Sequence, residues 1–70
     1  MRIRDYNPSG LCDTDRAIFN NALELSKDCN KWQWVEYLSS MAQDIELVCL
    51  LRDTSRKMFH TLDYYSDCME

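Results

Sequence analysis

A chain of 70 residues with 12 acidic and 8 basic side chains, and so a formal net charge of −4, makes one domain that buries only about 60% of the surface its unfolded form exposes. A core that small is marginal, so a dimer or another partner is expected, and the negative balance disfavours general nucleic-acid binding. Pro8 and Gly10 are the only proline and glycine, which leaves residues 11–70 without the two strongest interrupters of regular structure and reads as all-α.

The opening Met1-Arg2-Ile3-Arg4-Asp5-Tyr6 has no apolar core of the secretory kind, and no stretch approaches the roughly 18 apolar residues of a membrane span, so a cytoplasmic protein with no membrane partner is expected. Residues 1–12 form an irregular arm. Within it Asn7-Pro8-Ser9-Gly10 has proline at the second and glycine at the fourth position of a tight turn. Ile3 and Tyr6 either pin this arm to the helices or leave it free to carry Arg2 and Arg4 towards a partner.

The first helix is expected over 13–28. Asp13 or Thr14 is placed to cap it, and Asp15 sits in its first turn, where negative charge suits the helix dipole. At 100° per residue Ile18, Ala22, Leu25 and Cys29 share a stripe that Phe19 and Leu23 widen.

A second helix is expected over 30–52, opened by Asn30 and Gln33 in the form of a capping box. Its apolar face is Trp34, Val35, Leu38, Met41, Ala42, Ile45, Val48 and Cys49, with Trp34 in the core. Trp32, Leu47, Leu50 and Leu51 fall away from that face, so this helix is either central or an oligomer interface.

The third helix is expected over 55–68, with Met58, Leu62, Tyr65 and Met69 in one stripe. A break at Asp53-Thr54-Ser55 reconciles the two stripes, which otherwise sit roughly 140° apart on one helix wheel. The alternative fuses helices two and three into one rod of about 40 residues, roughly 60 Å long, in a dimer. Asp53 and Lys57, spaced i,i+4, favour that alternative.

No catalytic, cofactor or metal motif is visible, so the chain reads as a non-enzymatic protein without cofactors. Cys12, Cys29, Cys49 and Cys68 lack close C-x-x-C pairing and are expected as free thiols in a reducing compartment. Candidate partner-binding residues are Trp32, Leu47, Leu50, Arg52, Arg56, His60 and Tyr64. The aromatic and apolar members carry anchoring energy, and Arg52, Arg56 and His60 recur every fourth position, an edge that suits phosphate or carboxylate. The segment Leu62–Glu70 mixes acidic, tyrosyl and apolar groups without a basic residue, a composition able to dock in a basic groove.

In size, acidity and aromatic content the chain resembles the small regulators and inhibitors encoded by bacteriophages, a likeness of composition only. The leading expectation is an interaction module that binds a host or defence protein, and itself as a homodimer, through aromatic and apolar helix faces. The alternatives are a nucleic-acid-binding regulator using the 52–60 face and a thiol or metal-binding protein.

Overall fold

In the computed structural model the backbone is described for residues 2–68 and the side chains for residues 2–62. The described chain is all helical: α1 spans Asp13–Leu25, α2 Trp32–Met41 and α3 Ile45–Cys68, with short 3-10 turns at Ile3–Asp5, Pro8–Gly10 and Cys29–Lys31. The three-helix, all-α expectation holds, but four of its boundaries move: the first helix ends at 25 instead of 28, the second covers 32–41 instead of 30–52, and the third starts at 45 instead of 55.

Residues 53–55 continue α3 without a break, and the chain interrupts itself at Ala42-Gln43-Asp44 instead. The ion pair that favoured continuity forms, Lys57 Nζ lying 3.0 Å from the Asp53 carboxylate. Ala42 turns extended, with φ −72° and ψ 143°, and no described residue adopts a positive φ. The turn therefore needs no glycine, which is why a stretch without Gly or Pro conceals it.

What it does need is partners for the amides that a helix start leaves unpaired. Asp44 supplies one, its Oδ1 accepting the Leu47 N–H at 3.0 Å while its carbonyl takes the first α3 bond from Val48 N–H at 2.9 Å. Asp15, across the fold in the first turn of α1, takes two amides of the turn itself: Oδ1 accepts from Gln43 N–H at 3.1 Å and Oδ2 from Asp44 N–H at 2.9 Å. Asp15 is only 2% exposed. It lies on the same stripe as Ile18, Phe19 and Ala22, all buried, at positions i, i+3, i+4 and i+7.

The break resets the phase of the helix that follows. On α3 the buried residues are Leu47, Leu50, Leu51, Ser55 and Met58, again at 3.6-residue spacing. The stripe expected from an unbroken helix is therefore corrected: Ile45 and Cys49 are exposed, and Leu47, Leu50 and Leu51, expected off the core face, form the centre of the core. Against them α2 buries Val35 and Ser39, and α2 with α3 makes the most extensive helix pairing. Both buried serines close their hydroxyls onto their own helix, Ser39 to the Glu36 carbonyl and Ser55 to the Arg52 carbonyl, so neither hydroxyl is left without a partner.

The helix caps also differ from expectation. Cys12, not Asp13 or Thr14, is the cap residue of α1, without a side-chain bond. The Asn30–Gln33 box does not form, because Asp28 accepts the Asn30 N–H at 3.0 Å and a 3-10 turn precedes α2. In the arm, Asn7 Oδ1 accepts Ser9 N–H and the Pro8 carbonyl accepts Leu11 N–H, one residue later than the expected turn. The arm is pinned. Ile3 and Leu11 are buried, and the Tyr6 ring packs on Phe19 with centroids 5.5 Å apart.

Two measurements test this architecture. Asp15→Ala strands two amide donors in a partly buried turn and is expected to cost about 2–3 kcal/mol, roughly 10–20 °C in Tm for a domain this small; Asp44→Ala, losing a single cap bond, is expected to cost about 1 kcal/mol. Equal melting of wild type and Asp15→Ala would show that the turn holds without the carboxylate.

The second concerns Tyr6, whose phenol is pushed above its ordinary value by burial first and by the nearby carboxylates of Asp44, Glu46 and Asp15 next. The folded state then keeps a proton that the unfolded state releases, so this contribution is complete below about pH 10 and is lost as pH climbs through the folded value. Tyr6→Phe is expected to flatten the alkaline fall in stability, read from denaturation midpoints at pH 9, 10 and 11.

Candidate partner-binding surface

The phase change at residues 42–44 decides which apolar side chains stay outside. Trp34, Tyr37 and Met41 are 58%, 59% and 50% exposed, and at i, i+3 and i+7 they fall within roughly 60° of one another on α2. Ile45, at 80% exposed, stands at the start of α3 just beyond the turn. The expectation that Trp34 fills the core is overturned, since Val35 beside it takes the inward position at 0% exposure. Isolated exposed apolar residues are ordinary, whereas three aligned large ones on one helix face form a patch.

The residues singled out from the sequence divide into three groups. Leu47 and Leu50 are buried core and offer nothing to a partner in this fold. Trp32 is half-buried and packs on Phe59 of α3, with ring centroids 4.8 Å apart and planes tilted by 58°. Phe59 in turn lies 6.1 Å from the His60 ring. Arg52, Arg56 and His60 are exposed on the unbroken α3, and their fourfold spacing puts them on one edge with Phe59. The Tyr64 side chain lies outside the described residues.

The sequence reading missed Trp34, Tyr37, Met41 and Ile45 as surface residues. Their own spacing is helical and apolar, which is the signature of a core stripe; only the turn at 42–44 shows that another row, on α3, takes the interior.

Two clefts accompany these surfaces. One, of about 590 Å³, lies between the arm, the end of α1 and the middle of α3. The other, of about 420 Å³, is bordered by Asp5, Tyr6, Asp44 and Glu46 and is acidic. Cys12 and Cys49 are exposed and Cys29 half-buried, all three unbridged, and Cys68 lies outside the described side chains. Cys49 was expected on an apolar stripe and is displaced from it by the same phase change. Among the described residues no three of His, Cys, Asp and Glu gather around a point where a metal ion would sit, and no helix is long and apolar enough to cross a membrane.

The chain matches no protein-family model, no curated protein and no solved structure.

The two tryptophans separate packing from surface. Trp32→Ala removes the partner of Phe59 and is expected to cost about 2 kcal/mol, below the range for a fully buried tryptophan. Trp34→Ala is expected to stay within about 0.5 kcal/mol of wild type. Urea denaturation followed by circular dichroism distinguishes them, and a larger loss for Trp34→Ala would place that ring in the core.

Proposed function

We propose that the protein is a non-enzymatic interaction module that binds another protein through the outer face of α2. The observation that carries this reading is the aligned exposure of Trp34, Tyr37 and Met41 next to a core already complete without them. Trp and Tyr anchor protein interfaces because they bury large areas while losing little side-chain freedom, and Met adapts its shape to the surface it meets. Inhibition, or bridging by an adaptor, through occupation of a partner's apolar surface is the mode of action that such a face supports. The likeness in composition to small phage-encoded regulators favours a host or defence protein as that partner. A reducing cytoplasm suits a chain that exposes the thiols of Cys12 and Cys49.

A second reading has one observation in its favour. The unbroken α3 aligns Arg52, Arg56 and His60, the edge a nucleic-acid-binding regulator would use. Two arginines and a histidine on a chain of net charge −4 give a weak electrostatic footprint. Binding of this kind falls steeply with salt, and an absence of binding to duplex and single strands at low salt ends it.

The test of the first reading is a triple variant, Trp34→Ala, Tyr37→Ala and Met41→Ala. A protein retained by the immobilised wild-type chain is expected to bind this variant at least about thirtyfold more weakly, the equivalent of losing a single hot spot of about 2 kcal/mol. Its helix content and melting temperature are expected to stay close to those of wild type, because all three side chains are already at least half exposed. Equal retention by the two chains would remove α2 as the docking face.

A further inference from the structure

The larger cleft holds half of the chain's positive charge. Arg2 and Arg4 of the arm, Lys27 after α1 and Lys57 of α3 all line it, four of the eight basic residues. Its floor is apolar, built from Ile3, Leu23 and Met58. The hydroxyls of Thr54 and Thr61 on its wall bond back to the Leu50 and Lys57 carbonyls of their own helix, which leaves the cations as its principal donors. Lys27 is held by Glu24 at 2.8 Å and Lys57 by Asp53 at 3.0 Å, whereas Arg2 and Arg4 form no ion pair among the described residues. Cations over an apolar floor suit a segment that carries carboxylates together with aromatic or aliphatic groups.

The chain contains such a segment. Asp63–Glu70 has three carboxylates, two tyrosines and a methionine, and no basic residue. Within one molecule residues 63–68 do not turn back into the cleft, because α3 runs unbroken from Ile45 through Cys68 and carries them onward past Thr61. We infer that the cleft receives the acidic segment Asp63–Glu70 of a second copy, so that two chains exchange these segments reciprocally. Each copy offers one cleft and one segment, and a reciprocal exchange closes as a two-fold dimer with no open end. The inference does not rest on the α2 face, which remains free in such a dimer.

Salt dependence separates this dimer from one held by apolar contact. Two chains of net charge −4 repel, and salt relieves that repulsion, so an apolar dimer tightens or holds as salt rises. A dimer held by cations against carboxylates weakens. Light scattering with size-exclusion chromatography on the full chain is expected to show a dimer at 50 mM NaCl and a dissociation constant about tenfold higher at 500 mM.

Charge exchange locates the contact. The double variant Arg2→Glu/Arg4→Glu and the double variant Asp63→Lys/Asp67→Lys are each expected to be monomeric alone. An equimolar mixture is expected to form a dimer of one chain of each kind. A milder Arg4→Gln variant, with circular dichroism on every chain, guards against misfolding, and it is expected to weaken the dimer severalfold. Four outcomes overturn the inference: a wild-type chain monomeric at high micromolar concentration, a dimer indifferent to or tightened by salt, charge variants that still dimerise alone, or a mixture that stays monomeric. Loss of the dimer in the Trp34, Tyr37 and Met41 variant, with retention in the charge variants, would assign self-association to α2 instead.

Discussion

One carboxylate holds the two halves of the fold in register. Asp15 belongs to α1, yet its two oxygens take the amides of Gln43 and Asp44, 28 and 29 residues further on. A turn between helices without glycine, proline or a positive φ is not set by backbone preference, so its stability comes from satisfying the polar groups it frees. Asp15 does this from across the core, and Asp44 does it for the first turn of α3. The carboxylate also lies in the first turn of α1 and beside the start of α3, where both helix dipoles favour negative charge. A buried carboxylate with no ion pair among the described residues is tolerable because two directed N–H groups and two helix termini replace its water.

From that clamp the packing follows. Once the chain turns at 42–44, α3 comes back along α2 and buries the row Leu47, Leu51, Ser55 and Met58. Serines at buried positions of both helices, Ser39 and Ser55, are small and self-satisfied, so they hinder neither close approach nor hydrogen bonding. The arm adds Ile3 and Leu11 to this core, and Tyr6 joins it to α1 through Phe19. So short a chain spends most of its aliphatic residues on a single core, and no element among the described residues covers the outer face of α2.

Local patterning made part of this legible. The stripe Ile18, Phe19 and Ala22 on α1, the position of the arm and the helical character of residues 45–51 all follow from spacing and from the single Pro and Gly. The continuity of α3 was also written locally, in Asp53 and Lys57. The real turn was not, because its determinants lie in two places: Asp44 resembles many surface aspartates, and Asp15 resembles an ordinary first-turn acid. With the turn moved from 53–55 to 42–44, every wheel drawn through residue 44 is out of phase. That one displacement accounts for Leu47 and Leu50 being assigned to the surface and Trp34 and Ile45 to the core. Trp32 and the Arg52, Arg56 and His60 edge were less affected, since each lies within one helix on one side of the turn.

The exposed strip on α2 is therefore a consequence of the clamp and not of weak packing. In an unbroken helix Trp34, Leu38, Met41, Ile45 and Val48 would form one continuous apolar stripe, and burial of that stripe would be the cheapest arrangement available to the chain. Turning at Asp44 lets α3 bury a different row, and the α2 portion of the stripe has no remaining helix to meet it. The interior gains Leu47, Leu50 and Leu51, so the fold loses little apolar burial by leaving Trp34, Tyr37 and Met41 half or more exposed. A surface left open in this way is rigid, because Val35 and Ser39 anchor the opposite side of the same helix at 0% and 2% exposure. Rigid aromatic groups bind without the entropic cost of ordering a loop, and the acid that keeps them outside sits in the core, away from any partner they meet.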